Sequence, residues 1–216
     1  MVWKVLFFIL RTLFLITLPF IVLVRGAVYF NTAQDLGIWP SLAGGIIVTA
    51  FLLFIYMTFI YGRFTGRIGD KDNLKRRLVF AFIIVIGFAA HAVIFISNDN
   101  IKAPEIKEEY SELHPLLRLA VGVIVKLDMD LVITDGQRAR EDYEKMGLKS
   151  RKNSLHYKQE DGYTYAIDLR TNDRTEWRNQ ALAIYFGAMG FNVLRHVGTA
   201  DHLHISLPCK FHPGAI

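Results

Sequence analysis

The stretch Tyr163-Thr164-Tyr165-Ala166-Ile167-Asp168-Leu169 alternates with the two-residue period of a β-strand, and Asp168 stands near its end. Strand residues with this pattern bury one face, so the segment belongs to a sheet with a core behind it. Leu131-Val132-Ile133-Thr134 reads as a short buried strand, and Asp135-Gly136 turns the chain after it. Residues 191–196 and 203–207 read as two further strands. Helices separate them. Ser111 as N-cap and Pro115 in the first turn predict a helix through Lys126, with Leu116, Leu117, Ala120, Val121, Ile124 and Val125 at helical spacing. Residues 139–146 read as a second helix. Asp173 and Glu176 resemble a capping box for a third, running to Met189, with Gly190 as its stop. The class is α+β, over residues 110–216, enough chain to hold its own core.

The preceding half has a different character. The chain of 216 residues is 52% hydrophobic. Residues 1–100 hold three apolar stretches long enough to cross a bilayer, at 5–24, 41–61 and 78–97. No small-x-small cleavage site follows the first, so it reads as a span rather than a signal peptide. Arg11 and His91 are ionisable groups within or near these spans. Arg11 can snorkel and His91 can stay neutral. Residues 101–109, polar and containing Pro104, read as a linker.

Charge follows the same division. Residues 1–100 carry nine Lys/Arg against four Asp/Glu, while residues 101–216 carry sixteen of each. The net charge of +5 therefore belongs to the apolar half and points to membrane topology, not to nucleic acid. Residues 62–77 hold Arg63, Arg67, Lys71, Lys75, Arg76 and Arg77 against Asp70 and Asp72. The positive-inside rule puts that loop and the N-terminus in the cytoplasm. The C-terminal domain is then expected outside a bacterial cytoplasmic membrane. The single cysteine, Cys209, excludes an intrachain disulfide and any CxxC motif.

The chemistry-bearing residues lie in the second half. His156, Asp168 and His204 supply two imidazoles and a carboxylate, the ligand types of a Zn²⁺ site with an open fourth position. Such a site activates water and needs a carboxylate to move its proton, and Asp201 is available. His202 points to the same side of a strand as His204 and so reaches the same cleft. Arg138, after the Asp135-Gly136 turn, is suited to a substrate carboxylate or an oxyanion. Ser154 has no base beside it and reads as a turn or hydrogen-bonding residue near substrate, not a nucleophile. His114, His196 and His212 carry no such reading.

Ser154, His156, Gly162, Ala166 and Asp168, then Asp201 and His204, fall in the order Ser-x-His, Gly, Ala-x-Asp, Asp-x-x-His. Thr134, Gly136 and Arg138 precede them. This resembles the zinc D-Ala-D-Ala carboxypeptidase and L-alanyl-D-glutamate endopeptidase family with its hedgehog-like fold, and is most similar to small phage-type members. The resemblance covers roughly residues 110–208. It departs at Asp201, where the family more often has Glu. It also departs in the twelve-residue step from His156 to Asp168, which reads as a hairpin tip inserted between two strand ends. It implies a small antiparallel sheet with helices. It also implies metal ligands His156, Asp168 and His204, catalytic Asp201 and Arg138, and substrate contacts from Arg138, Ser154 and His202. The substrate would be a peptidoglycan peptide containing D-amino acids. The other expected partners are the lipid bilayer and possible membrane proteins. The alternative is an inactive relative that binds wall peptide or metal in a membrane assembly.

Overall fold

The computed structural model describes residues 2–138, 153–198 and 201–215. The chain divides into two compact units, Met1–Ala90 and His91–Ile216. Three helices, α1 (Val2–Thr32), α2 (Ile38–Thr65) and α3 (Lys71–Ile94), are long and apolar enough to cross a membrane. α1 and α2 extend beyond both ends of the spans read from hydrophobicity, because a helix continues through flanking polar residues until a cap or turn stops it; α3 starts earlier, at Lys71, and ends at Ile94, short of 97. Gly66 stops α2 in the left-handed conformation at φ 69°, its N–H donating to the Gly62 carbonyl.

Within the first unit the helices pack through small residues. Ala27 of α1 and Gly45 of α2 are in close approach, and a Cβ on Gly45 would lie 2.7 Å from the Leu23 carbonyl oxygen. In lipid, where apolar side chains gain little from leaving the solvent, such close backbone approach is the usual source of helix association. Phe20 and Phe88 add an edge-to-face contact at 5.2 Å.

The second unit is α+β. Residues 101–109, read from their polarity as a linker, bring Ile101 into a bridge with Ile133 and open α4 (Glu105–Ser111). Ile106 and Tyr110, four apart, bury one face of this short helix. α5 (Pro115–Ile124) starts at His114, whose Nδ1 accepts the Leu116 N–H, so the cap is His114 rather than Ser111. β1 (Ile133–Asp135), β2 (Ala166–Arg170), α6 (Glu176–Met189), β3 (Asn192–His196) and β4 (His202–Ser206) complete the described elements. α6 is capped at Thr175, because Asp173 takes a left-handed turn at φ 61° instead of opening a capping box. The helix expected at 139–146 lies outside the described residues.

The four strands form one antiparallel sheet in the order β1-β2-β4-β3. Alternation gives it two unlike faces. Ile167, Leu169, Leu203 and Ile205 are fully buried on one. Asp168, Arg170, His202 and His204 stand on the other.

Candidate metal centre

β2 and β4 are neighbours, and their register sets Asp168 directly opposite His204 and Arg170 opposite His202. Cross-strand partners have Cβ atoms about 5 Å apart, within reach of a shared ion. His156 arrives from outside the sheet. The chain from His156 to β2 folds on itself: Gln159 N–H donates to the Tyr163 carbonyl, and Gly162 turns at φ 84°. The Tyr165 N–H to Leu155 carbonyl bond then closes the excursion. The extra residues between the ligands are thus a local turn, and Gly162 serves that turn rather than the site.

The three donors converge. Asp168 Oδ1 lies 2.9 Å from His204 Nδ1 and 3.5 Å from His156 Nε2, and the two imidazole nitrogens are 3.3 Å apart. Zinc–nitrogen and zinc–oxygen bonds of about 2.0–2.1 Å place tetrahedral ligand atoms about 3.3 Å from one another. The triangle already has the size of one tetrahedral face. All three side chains are buried, at 3%, 2% and 7% exposure for His156, Asp168 and His204. The buried trio is the kind of group that could hold a metal ion.

Supporting contacts orient two of the donors. His156 Nδ1 is 2.5 Å from the Gly136 carbonyl oxygen. A carbonyl only accepts, so Nδ1 carries the proton and Nε2 presents its lone pair to the centre. Asp168 keeps Oδ1 for the centre while Arg138 Nη2 holds Oδ2 at 2.6 Å. Burial alone would raise the Asp168 carboxyl, but hydrogen bonds and charge from His156 and His204 outweigh it and hold it well below the usual range. His204 Nε2 is buried with no hydrogen-bond partner among the described residues. The donors therefore fit a small divalent ion with one or more open positions.

The other expected site residues are distributed differently. Arg138 adjoins the centre, but its guanidinium is committed to Asp135 at 2.6 Å as well as to Asp168, so it positions a ligand. Ser154 is buried, and its Oγ accepts the His156 N–H at 3.4 Å, which makes it part of the turn that presents His156. His202 lies on the site face, its Nε2 3.7 Å from Asp168 Oδ2. Asp201 is held by its own neighbours. Its carboxylate accepts from Arg195 Nη2 at 3.0 Å and from the Gly198 N–H at 2.9 Å. Arg195 stands opposite Leu203 in the sheet register, on the side of the apolar face.

Two residues not singled out by motif also belong to this region. Glu109 Oε2 accepts the Gly136 N–H at 3.0 Å, fixing the residue whose carbonyl takes the His156 proton. Burial pushes the Glu109 carboxyl up, partly offset by that bond. Its signal was helical: Glu109 follows Ile106 by three and so shares the inward face of α4. His196 pairs with His202 across the β3–β4 hairpin and stacks on it at 4.6 Å. No protein-family model matches the chain, and no curated protein or solved structure matches it.

Proposed function

We propose that this protein is a membrane-anchored zinc peptidase of the D,D-carboxypeptidase or endopeptidase type, acting on peptidoglycan stem peptides. The observation that carries the reading is the buried convergence of His156 Nε2, Asp168 Oδ1 and His204 Nδ1. The basic 62–77 loop supports an orientation with the α+β unit outside a bacterial cytoplasmic membrane, where such a substrate exists.

His156, Asp168 and His204 would hold the ion. The chemistry zinc supplies when bound is Lewis acidity toward a carbonyl and a nucleophilic water near neutral pH. The chain's own residues prepare for it. Gly136 sets the tautomer of His156, and Glu109 holds Gly136 in place. Arg138 orients the Asp168 carboxylate and offsets its charge. His202 and His196 line the same side as polar ring donors for a substrate. We assign no proton transfer to Asp201, whose contacts are with Arg195 and Gly198.

The test is zinc content together with hydrolysis of defined muropeptides. Wild type is expected to bind one zinc per chain and to release a product. His204→Ala is expected to lose both, whereas Asp201→Asn should keep the metal. Loss of turnover in Asp201→Asn with zinc retained would return the base to Asp201. A second reading is favoured by the engagement of Arg138 and Asp201 in internal ion pairs. It is a metal-holding domain that binds wall peptide without cutting it. Zinc binding with no cleavage of any muropeptide would select it.

A further inference from the structure

We propose that the α2–α3 turn binds the headgroup of an anionic phospholipid. The site is an open groove of about 660 Å³ along the end of α2. Phe54, Ile55 and Phe59 line it on the helix, and Arg63 and Arg67 line it at the turn. That order, apolar side chains followed by guanidiniums, matches the order of acyl chain and phosphate in a phospholipid. No carboxylate lines the groove. A second groove of about 510 Å³ on the first turns of α3 has Lys75 and Arg76 but also Asp72.

The turn is built, not merely basic. Thr65 Oγ1 donates to the Tyr61 carbonyl and also contacts the backbone of Arg67. Gly66 reverses the chain at φ 69°. Arg77 lies over the Tyr61 ring at 4.2 Å and donates to the Ile68 carbonyl at 2.6 Å. Gly69 makes room for it, since at φ 97° it carries no Cβ, and one would sit 2.5 Å from Arg77 Nη2.

One observation asks for an anion here. Among the described residues, Arg63, Arg67 and Arg77 make no ion pair. Arg77, only 9% exposed, braces the turn rather than lining the groove. The carbonyl end of α2 opposes an anion, but its field fades within the last turn and Arg63 stands in that turn. Arginine gives planar, paired donors to phosphate oxygens.

The test uses the full chain, purified in detergent and exposed to equal phosphatidylglycerol and phosphatidylcholine, with retained lipid counted by native mass spectrometry. Wild type is expected to retain phosphatidylglycerol preferentially. The Arg63→Gln, Arg67→Gln double variant should lose that preference by roughly 25-fold, since each basic group near the headgroups contributes about fivefold. Both side chains are exposed, so the helices should keep their circular dichroism. Lys75→Gln with Arg76→Gln should retain it, because Asp72 already offsets that groove. Equal losses from both pairs would mean diffuse attraction and overturn the site. So would equal retention of the two lipids by wild type, or full displacement of phosphatidylglycerol by millimolar inorganic phosphate.

Discussion

The two faces of the sheet share four strands and one backbone, yet they treat a buried histidine in opposite ways. On the apolar side His114 packs against Tyr163 and Tyr165, and its Nε2 has no hydrogen-bond partner among the described residues. Burial, against a small opposing effect of Asp161, pushes it down to about 4. On the polar side His204 is also buried, but it contacts Asp168 and His156. The first histidine is part of a core and a helix cap. The second belongs to a cluster of donors, which a core has no use for unless something binds there. The difference comes from what lies across from each ring, not from depth.

Removing His204 should break the polar face most sharply. His204→Ala is expected to abolish stoichiometric zinc, weakening it by more than the roughly 100-fold seen for supporting residues. Equilibrium dialysis against a zinc indicator measures this, and unchanged affinity would remove His204 from the ligand set. Leu203→Ala, one residue away on the apolar face, should instead cost about 2–5 kcal/mol of stability. Urea unfolding reads that cost, and the fraction that stays folded should still bind zinc.

His114 sharpens the contrast through pH. It stays neutral when folded but takes a proton near 6.5 when unfolded, so the unfolded chain binds more protons in between. Its contribution is intact above pH 6.5 and is lost as pH falls toward 4, by about 3 kcal/mol in all. His114→Asn keeps an acceptor for the Leu116 N–H and should flatten that part of the urea-stability profile. Arg138→Gln should weaken zinc by about tenfold, by freeing the Asp168 carboxylate from its orienting partner. Glu109→Gln should do least, since an amide oxygen still accepts the Gly136 N–H. A few-fold loss in zinc affinity is expected, and a change in the His156 Nδ1 proton signal by NMR would show that the effect passes through Gly136.

Much of this was legible along the chain. Alternation located β2 and β4, and apolar length located α1, α2 and α3. The order of His156, Asp168 and His204 named the cluster. The spacing of Asp201 does not reveal its partners. Its carboxylate meets Arg195 of the neighbouring strand β3. Arg138 likewise has partners that spacing does not show. A guanidinium beside two aspartates is neutralised by them, and proximity to Asp168 is a property of the fold rather than of spacing.

The sequence by itself determined what local periodicity and composition can express: three apolar helices, an α+β second half, and two imidazoles with a carboxylate among its strands. The tertiary structure decided which donors meet. Only the β2–β4 register places Asp168 opposite His204, and only the turn at 159–163 returns His156 to them. It also decided that Glu109 holds Gly136 and that Asp201 meets Arg195. Periodicity is set within a few residues, whereas a shared site is set by hydrogen-bond register between segments dozens of residues apart, which no short stretch of chain encodes.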